Sequence, residues 1–414
     1  MIRIIASVIR GEGLSSALRR TGERIGDALH GAALRVRGTF DGQSEAGILN
    51  VAASGTALRL GGVQAQLAAR LRVERGLRSV ALLSPGLLEQ AGSRRIATDL
   101  EAAIREAIAI TGAGTVHFEG MFEVPLRAVM RLIESGIGVI ASLHDFSLFC
   151  SRPHLIEEPM GSFCFYSDDF DRCQRCLQPI QDVPQNELRD RRALAREILV
   201  AATGVIVPSQ FLLEQHRQLF SLPDLVAEVV EPGVPAPARP LHTAGARRAI
   251  AYAGSLKRHK GAHLLPDLAR VLGNVEIHVF GGGDEDLLRA IRRVPNITVH
   301  GYYRGNTLPA LLARFGIGLV VLPSIWPETY SLALSEAWIA GAAVAAFDLG
   351  APAERIRRHG GGWLAPLESG AEGLGRIIEQ WRAGLITTTV PPSVPEPEDA
   401  AHAHLDLYRK WGVL

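Results

Sequence analysis

The residues best placed to do chemistry lie in the run Pro327-Glu328-Thr329-Tyr330-Ser331-Leu332-Ala333-Leu334-Ser335-Glu336-Ala337. Its two carboxylates, Glu328 and Glu336, are separated by seven residues. The run follows an apolar stretch, Ile317 to Leu322, that reads as a strand, and it leads into a helical pattern. A strand–loop–helix turn at the carboxyl edge of a parallel sheet is where doubly wound folds bind ligands. Free N–H groups at the start of such a helix suit a phosphate. A carboxylate inside the first helical turns can accept hydrogen bonds from the paired hydroxyls of a ribose, and a second one in the loop can do the same for a hexose. On the residues alone, Glu328 reads equally well as a helix N-terminal charge and Glu336 as a surface acid.

Two further groups carry chemical potential. Leu143-His144-Asp145-Phe146 ends another apolar strand. A histidine at a strand's carboxyl edge is placed to point into a cleft, and Asp145 can orient it, line an acceptor site or cap a helix. The four cysteines, Cys150, Cys164, Cys173 and Cys176, all fall within one short region. The last two form C-x2-C, a spacing that suits a tetrahedral zinc held by thiolates at about 2.3 Å. Four free thiols are the other reading. The loop between them is polar, with Asp168, Asp169 and Asp171, and His154 reads as a surface residue.

These residues need a scaffold, and the pattern supplies one. Ile48 to Ala53, Ser79 to Leu83, Val116 to Phe118, Gly138 to Leu143 and Val205 to Val207 read as buried strands, with helical stretches between them. A glycine-bearing loop with Gly61 and Gly62 follows the first, then a helix from Val63 to Arg75. Residues 231–248 carry Pro232, Gly233, Pro235, Pro237 and Pro240, a hinge composition. Beyond it the alternation restarts with Ala249 to Ala253, Glu276 to Phe280, Ile297 to His300, Ile317 to Leu322 and Ala343 to Phe347. Continuous apolar strands alternating with helices argue parallel sheets covered on both faces.

Length and composition bound the rest. A chain of 414 residues calls for two domains. Apolar residues make up 47%, enough for two cores, and a net charge of +1 excludes a general nucleic-acid binder. The opening apolar residues are interrupted by Arg3 and Arg10, unlike a signal peptide, and no run of about 18 uncharged apolar residues occurs. Four cysteines do not make a secreted disulfide framework, so a cytoplasmic location is expected. Residues 1–45 are basic and read as short helices, either interfacial against anionic lipid at the inner face of the plasma membrane or solvated on the domain surface.

The order of the motifs resembles family 4 of the retaining glycosyltransferases, from about Ile48 onward. Glu328 and Glu336 match its E-x7-E pattern, followed by Ala337 and Gly341. Val207-Pro208-Ser209-Gln210-Phe211 resembles its "PS-x-F" turn, and Glu231-Pro232-Gly233-Val234 its "PNGV" hinge. Tyr252-Ala253-Gly254-Ser255-Leu256, then Lys260-Gly261, is similar to "GR-L-x-x-x-KG". His278 to Gly281 and Val299 to Tyr302 resemble the strands beside the nucleotide base.

The resemblance implies an α/β GT-B fold, two Rossmann-like doubly wound domains facing a cleft. Residues 1–45 would be a basic helical extension. Residues 46–235 would be an acceptor domain carrying a cysteine-bearing loop at 146–180. Residues 236–395 would be the nucleotide-sugar donor domain, and residues 396–414 a helix crossing back to the first domain. It implies transfer of a sugar from an NDP-sugar to a lipid-linked or polysaccharide acceptor with retention, in cell-surface polysaccharide biosynthesis, without a catalytic metal. Glu336 would hold the ribose, Glu328 the donor sugar, Lys260 the diphosphate and His144 the reacting sugar. Gly61, Gly62, Gly254, Tyr302, Tyr330, Ser331 and Leu332 would complete the donor site, with Asp145 on the acceptor side. Ser255 stands where the family often has Arg, which leaves Lys257 or Arg258 to supply a second positive charge. A sugar-nucleotide epimerase on the same fold and a non-catalytic scaffold with a structural zinc loop are the rival readings.

Overall fold

The computed structural model describes residues 47–51, 83–84, 87–90, 93–95, 100–122, 124–180, 184–235, 237, 248–303, 307–387 and 393–414. The expectations for residues 1–45, for Gly61 and Gly62 and for the helix from Val63 to Arg75 lie outside the described residues.

The strands are β1 (Ile48–Val51), β2 (Leu83–Ser84), β3 (Leu87–Gln90), β4 (Ser93–Arg95), β5 (Thr115–Phe118), β6 (Gly138–Ser142), β7 (Ile156–Glu157), β8 (Ser162–Phe163), β9 (Gly204–Val207), β10 (Glu228–Val229), β11 (Ala249–Ala253), β12 (Ile277–Phe280), β13 (Ile297–Gly301), β14 (Ile317–Leu322), β15 (Ala343–Phe347) and β16 (Gly362–Ala365). Helices α1 (Leu100–Thr111), α2 (Leu126–Glu134), α3 (Phe170–Leu177), α4 (Gln185–Ala201) and α5 (Gln210–Leu219) accompany the first half. Helices α6 (Leu265–Val271), α7 (Glu285–Arg292), α8 (Leu308–Arg314), α9 (Leu332–Ile339), α10 (Gly350–His359) and α11 (Gly370–Arg382) accompany the second, and α12 (Pro397–Lys410) follows.

Two parallel sheets carry the molecule. The first has the order β1-β5-β6-β9-β10, and the second β13-β12-β11-β14-β15-β16. Counted within its own half, the second sheet runs 3-2-1-4-5-6, so the strand order reverses between β11 and β14. The loops that leave those two strands border a crevice suited to ligands. The reason for burial on both faces is legible in β14, whose IGLVVL is buried throughout. Ile250, Tyr252, Leu319 and Val321 feed one core, against α6 and α11. Ala251, Ala253, Val320 and Leu322 feed the opposite core, where small alanines let Leu334 and Trp338 of α9 pack closely.

Leu83–Ser84 departs from expectation. The apolar run Ser79 to Leu83 points to a strand of the parallel sheet ended at Ser84, but Leu83–Ser84 pairs antiparallel with β3 in a separate three-stranded sheet closed by β4. Two residues separate β2 from β3 in the sequence, too few for a parallel crossover, so the pair is antiparallel.

The halves are joined by two passes of the chain side by side. Val234 N–H donates to Pro395 O at 2.9 Å. A Cβ on Gly233 would lie 2.1 Å from Glu396 O, so close backbone approach makes glycine the residue that fits. A capping box between Glu396 and Asp399 then starts α12. Ala400, Leu405 and Tyr408 of that helix pack on Ile48, Ile140 and Ile206 of the first sheet. Tyr408 Oη lies 2.6 Å from His117 Nδ1, and His117 Nε2 lies 2.8 Å from Ser142 Oγ, all within the core.

Tyr408→Phe leaves the packing but removes a buried hydroxyl partner of His117. Urea unfolding should show a loss of about 1–2 kcal/mol; an unchanged midpoint would mean that this bond does not help hold α12.

Candidate functional site

The crevice is built from the loop after β11 (Gly254 to Gly261) and the loop after β14 (Pro323 to Ser331). The two loops are stitched together. Ile325 N–H donates to His259 O at 2.9 Å. Gly261 has φ +73°, and a Cβ there would lie 1.7 Å from Pro323 O, so both its conformation and its neighbour demand glycine. Gly281 is similarly required, since its Cβ would lie 1.8 Å from Gly254 O.

At the centre of these loops Lys260 Nζ meets Glu328 Oε2 at 2.8 Å. Ser324 Oγ donates to the other carboxylate oxygen. Glu328 is 4% exposed, whereas the Lys260 side chain keeps 27% of its surface open. The lysine can thus reach both the carboxylate and an incoming anion. Lys260 Nζ also lies 5.3 Å from the centre of the Trp326 ring. Glu336, on α9, is buried at 7% exposure. Neither glutamate is the solvated acid that its position alone allowed.

Between them the backbone is strained. Ser331 holds φ +75°, an uncommon conformation for a residue with a side chain, and its hydroxyl does not cap α9. The first amides of α9 therefore lack a capping side chain. Arg355 of α10 holds this turn in place, and sequence reasoning did not find it. It is 2% exposed. Its Nη1 donates to the carbonyls of Tyr330 and Ser331, each at 3.2 Å, and its Nη2 to Ser335 Oγ at 2.8 Å. Its guanidinium carbon lies 3.9 Å from the Tyr330 ring centre. Because a trans peptide sets its C=O and N–H in opposite directions, the N–H groups of these two peptides face away from Arg355. Nothing in GAPAERIRRH, with Glu354 beside it and Arg357 and Arg358 just after, sets Arg355 apart in the sequence.

The first sheet faces this loop directly. Thr329 Oγ1 donates to His144 O at 2.6 Å, and Ser209 Oγ donates to Thr329 O at 2.8 Å. His144 therefore sits just past β6, level with the Glu328 loop. Desolvation pushes the carboxyl of the half-buried Asp145 above the usual range, and it accepts Ser147 N–H at 2.8 Å. That bond caps the following turn. Tyr330 Oη donates to Glu231 Oε2 at 3.2 Å, and burial raises its phenol to about 12.

Other candidates land differently. Lys257 pairs with Asp284 at 2.5 Å, and Arg258 Nε donates to Gly161 O at 3.2 Å in the cysteine-bearing loop. Neither stands beside Glu328, so Lys260 alone of the three basic residues meets the carboxylate. Tyr302 is 74% exposed and lies against Gly282. The adjacent Tyr303 is the buried one; burial, then the charge of Glu336, holds its phenol high. Gly254 takes φ +142°, and a Cβ there would meet Tyr252 Oη at 3.6 Å, an ordinary contact.

His154 is not a surface residue. It stacks on His259 with ring centres 4.0 Å apart and meets Trp326 at 4.7 Å, beside Lys260. Burial, reinforced by the charge of Lys260, lowers His154 to about 4; burial and His154 lower His259 to about 3. None of the four cysteines is paired in a disulfide, and all four border one recess. Burial raises the Cys150 thiol to about 11. Among the described residues no helix is long and apolar enough to cross a membrane.

Comparison with known proteins agrees with this architecture. Residues 247–381, a third of the chain, match a family model described as "Glycosyl transferases group 1". Sucrose-phosphate synthase from Thermosynechococcus elongatus is similar with TM-score 0.62 at 15% identity, over 87% of this chain and 98% of that one. Anabaena HepE in complex with UDP gives TM-score 0.57 at 14% identity, over 88% and 100%. The catalytic domain of starch synthase IV from Arabidopsis thaliana, bound to ADP and acarbose, gives TM-score 0.57 at 12% identity, over 89% and 99%. No curated protein matches the chain by sequence. Likeness at such low identity establishes the fold, which is GT-B. The second sheet and most of its helices lie within the residues that match the group 1 glycosyltransferase model.

Two outcomes follow from the site's packing. Arg355→Met removes three hydrogen bonds behind the Glu328–Glu336 turn. It should lower stability by about 3 kcal/mol in urea and weaken binding of whatever occupies the crevice; wild-type stability would show that the turn holds its shape unaided. The second concerns pH. The folded-state values of His154 and His259 lie below the ordinary histidine value of 6.5, so the unfolded chain takes up protons first. Their contribution is full above about pH 6.5 and is lost as pH falls toward 4. His259→Phe keeps a stacking ring and removes one titrating group. Its stability should fall less than that of wild type between about pH 7 and about pH 5; equal falls would remove this pair from the acid sensitivity.

Proposed function

We propose that the protein is a retaining glycosyltransferase of family 4 that transfers a sugar from a nucleoside diphosphate sugar to a glycan or lipid-linked acceptor. The observation that carries this reading is the Glu328–Glu336 turn at the strand-order reversal, with Lys260 on Glu328 and His144 facing it from the other sheet. Glu336 takes the ribose hydroxyls and Glu328 the donor sugar. The amides of Tyr330, Ser331 and Leu332 and the ammonium of Lys260 take the diphosphate. The helix start offers oriented N–H groups, and the lysine offers a mobile point charge. Before the donor arrives, Lys260 compensates Glu328. On binding it swings toward phosphate while the sugar hydroxyls replace it on the carboxylate.

As the glycosidic bond to the diphosphate breaks, negative charge grows on the leaving oxygen, where Lys260 and the helix start stabilise it. The acceptor hydroxyl attacks from the face the leaving group vacates, which gives retention, and the departing phosphate takes its proton. His144 sits against the sugar carrying the developing positive charge, and Asp145 shapes the turn that holds it. Gly61, Gly62, Gly254 and Tyr302 complete the donor side. Closure of the two sheets excludes water and limits hydrolysis. HepE and starch synthase IV, which share the fold, were seen with UDP and with ADP, so a nucleotide in this crevice is the matching occupant. The acceptor reading extends to cell-surface polysaccharide assembly at the inner membrane face, with the basic residues 1–45 as the membrane contact. Sequence character and family resemblance support that part.

A thermal-shift panel with UDP, GDP, dTDP, ADP and CDP should single out one nucleotide. At about 100 times its dissociation constant the gain is roughly 2.7 kcal/mol, and Glu336→Ala should abolish it. Lys260→Ala and Glu328→Ala should each cut sugar transfer by about 100-fold or more. If no nucleotide shifts the unfolding temperature, the donor site is misplaced. A donor isomerised without any acceptor would replace transfer with epimerisation.

A further inference from the structure

The cysteines come from four separate points of the segment between β6 and α4, yet they border one small recess. Cys150 follows the turn after β6, Cys164 follows β8, and Cys173 and Cys176 lie one turn apart on α3. A three-residue helical spacing puts the last two sulfurs on one face.

The sulfurs are also approached by backbone donors. Arg152 N–H points at Cys150 Sγ at 3.4 Å, two residues on, and Glu158 N–H points at Cys176 Sγ at 3.4 Å. The amides of Tyr166 and Ser167, two and three residues on, address Cys164. Arg192 Nη2 lies 3.7 Å from Cys173 Sγ. Neutral thiols in a plain apolar core have no use for such an array. Thiolates do, because each carries charge that must be solvated by the protein.

The surrounding charge has the matching sign. Arg172 pairs with Glu157 and cancels. Arg152 bonds the Cys176 carbonyl, and Arg192 bonds the carbonyls of Phe149 and Ser167, with no ion pair to a carboxylate for either among the described residues. They leave two uncompensated positive charges beside the recess.

We infer that Cys150, Cys164, Cys173 and Cys176 together bind one zinc ion as a structural site. Four thiols give up four protons to solvent, and the ion with four thiolates carries a net charge of −2, which Arg152 and Arg192 offset. Soft sulfur donors in a closed set of four select zinc over magnesium or calcium. No three of the ligand-type side chains among the described residues yet stand in a metal-holding arrangement, so coordination contracts the recess. The site's reach extends to the donor crevice. The same segment sends Gly161 O to Arg258 and His154 onto His259, so fixing the cysteines fixes one wall of the Lys260 pocket.

The test starts from the full chain purified under reducing conditions and does not depend on activity. Atomic emission should find about one zinc per chain. Mercurial titration of the thiols should release it to a chromogenic chelator. Cobalt added to the reduced, metal-free chain should give the intense visible bands of a tetrahedral thiolate site. Cys173→Ser with Cys176→Ser should bring metal content to background, while Asp168→Asn with Asp171→Asn leaves it unchanged. If the cysteine variant fails to fold, the cobalt spectrum of the wild-type chain decides. Iron in place of zinc, cysteines paired in disulfides, or a reduced chain that takes up neither zinc nor cobalt would each overturn the assignment.

Discussion

A carboxylate buried in a loop has to be answered by a cation and hydrogen-bond donors, or the loop does not fold. Glu328 sets this condition, and the surrounding architecture satisfies it. Lys260 answers from the loop after β11, so the two loops at the strand-order reversal must close on each other. That closure demands glycine at 261, where a Cβ would strike Pro323 O. It also sets Trp326 under the lysine and puts His259 within reach of His154, in the segment that follows β6. One charge pair thus couples the shape of the crevice to the way the two halves face each other.

The seam between the halves is polar and specific where it touches the crevice, and apolar where it does not. Thr329 bonds across to His144 O and Ser209, while the two passes of chain at 234 and 395 run side by side. Few bonds cross near the crevice, and each comes from a loop.

Much of the fold was legible because its strands are continuous apolar runs. β14 and β15 show no polar residue, and only a parallel sheet covered on both faces has a place for them. Leu83–Ser84 misled because a short apolar run says nothing about its partner's direction. Glu328, Glu336, Lys260 and His144 could be singled out because a loop between a strand and a helix concentrates exposed chemistry. Arg355, His154 and His259 could not. Their importance comes from what they touch across the fold, and no periodicity encodes a contact between distant segments. The same holds for Tyr303, indistinguishable in sequence from its exposed neighbour Tyr302.

The α12 helix packs behind a sheet whose first strand lies some 350 residues earlier. Among the described residues, Ile48, Ile140 and Ile206 are covered by Leu405 and Tyr408, so this face of the first sheet is completed only when the end of α12 has been synthesised. The usual order of folding on the ribosome, earlier half first, is delayed for this face. Contacts spanning nearly the whole chain also make their closure the slow step. The interval in which that face stays bare is when the chain most needs a chaperone.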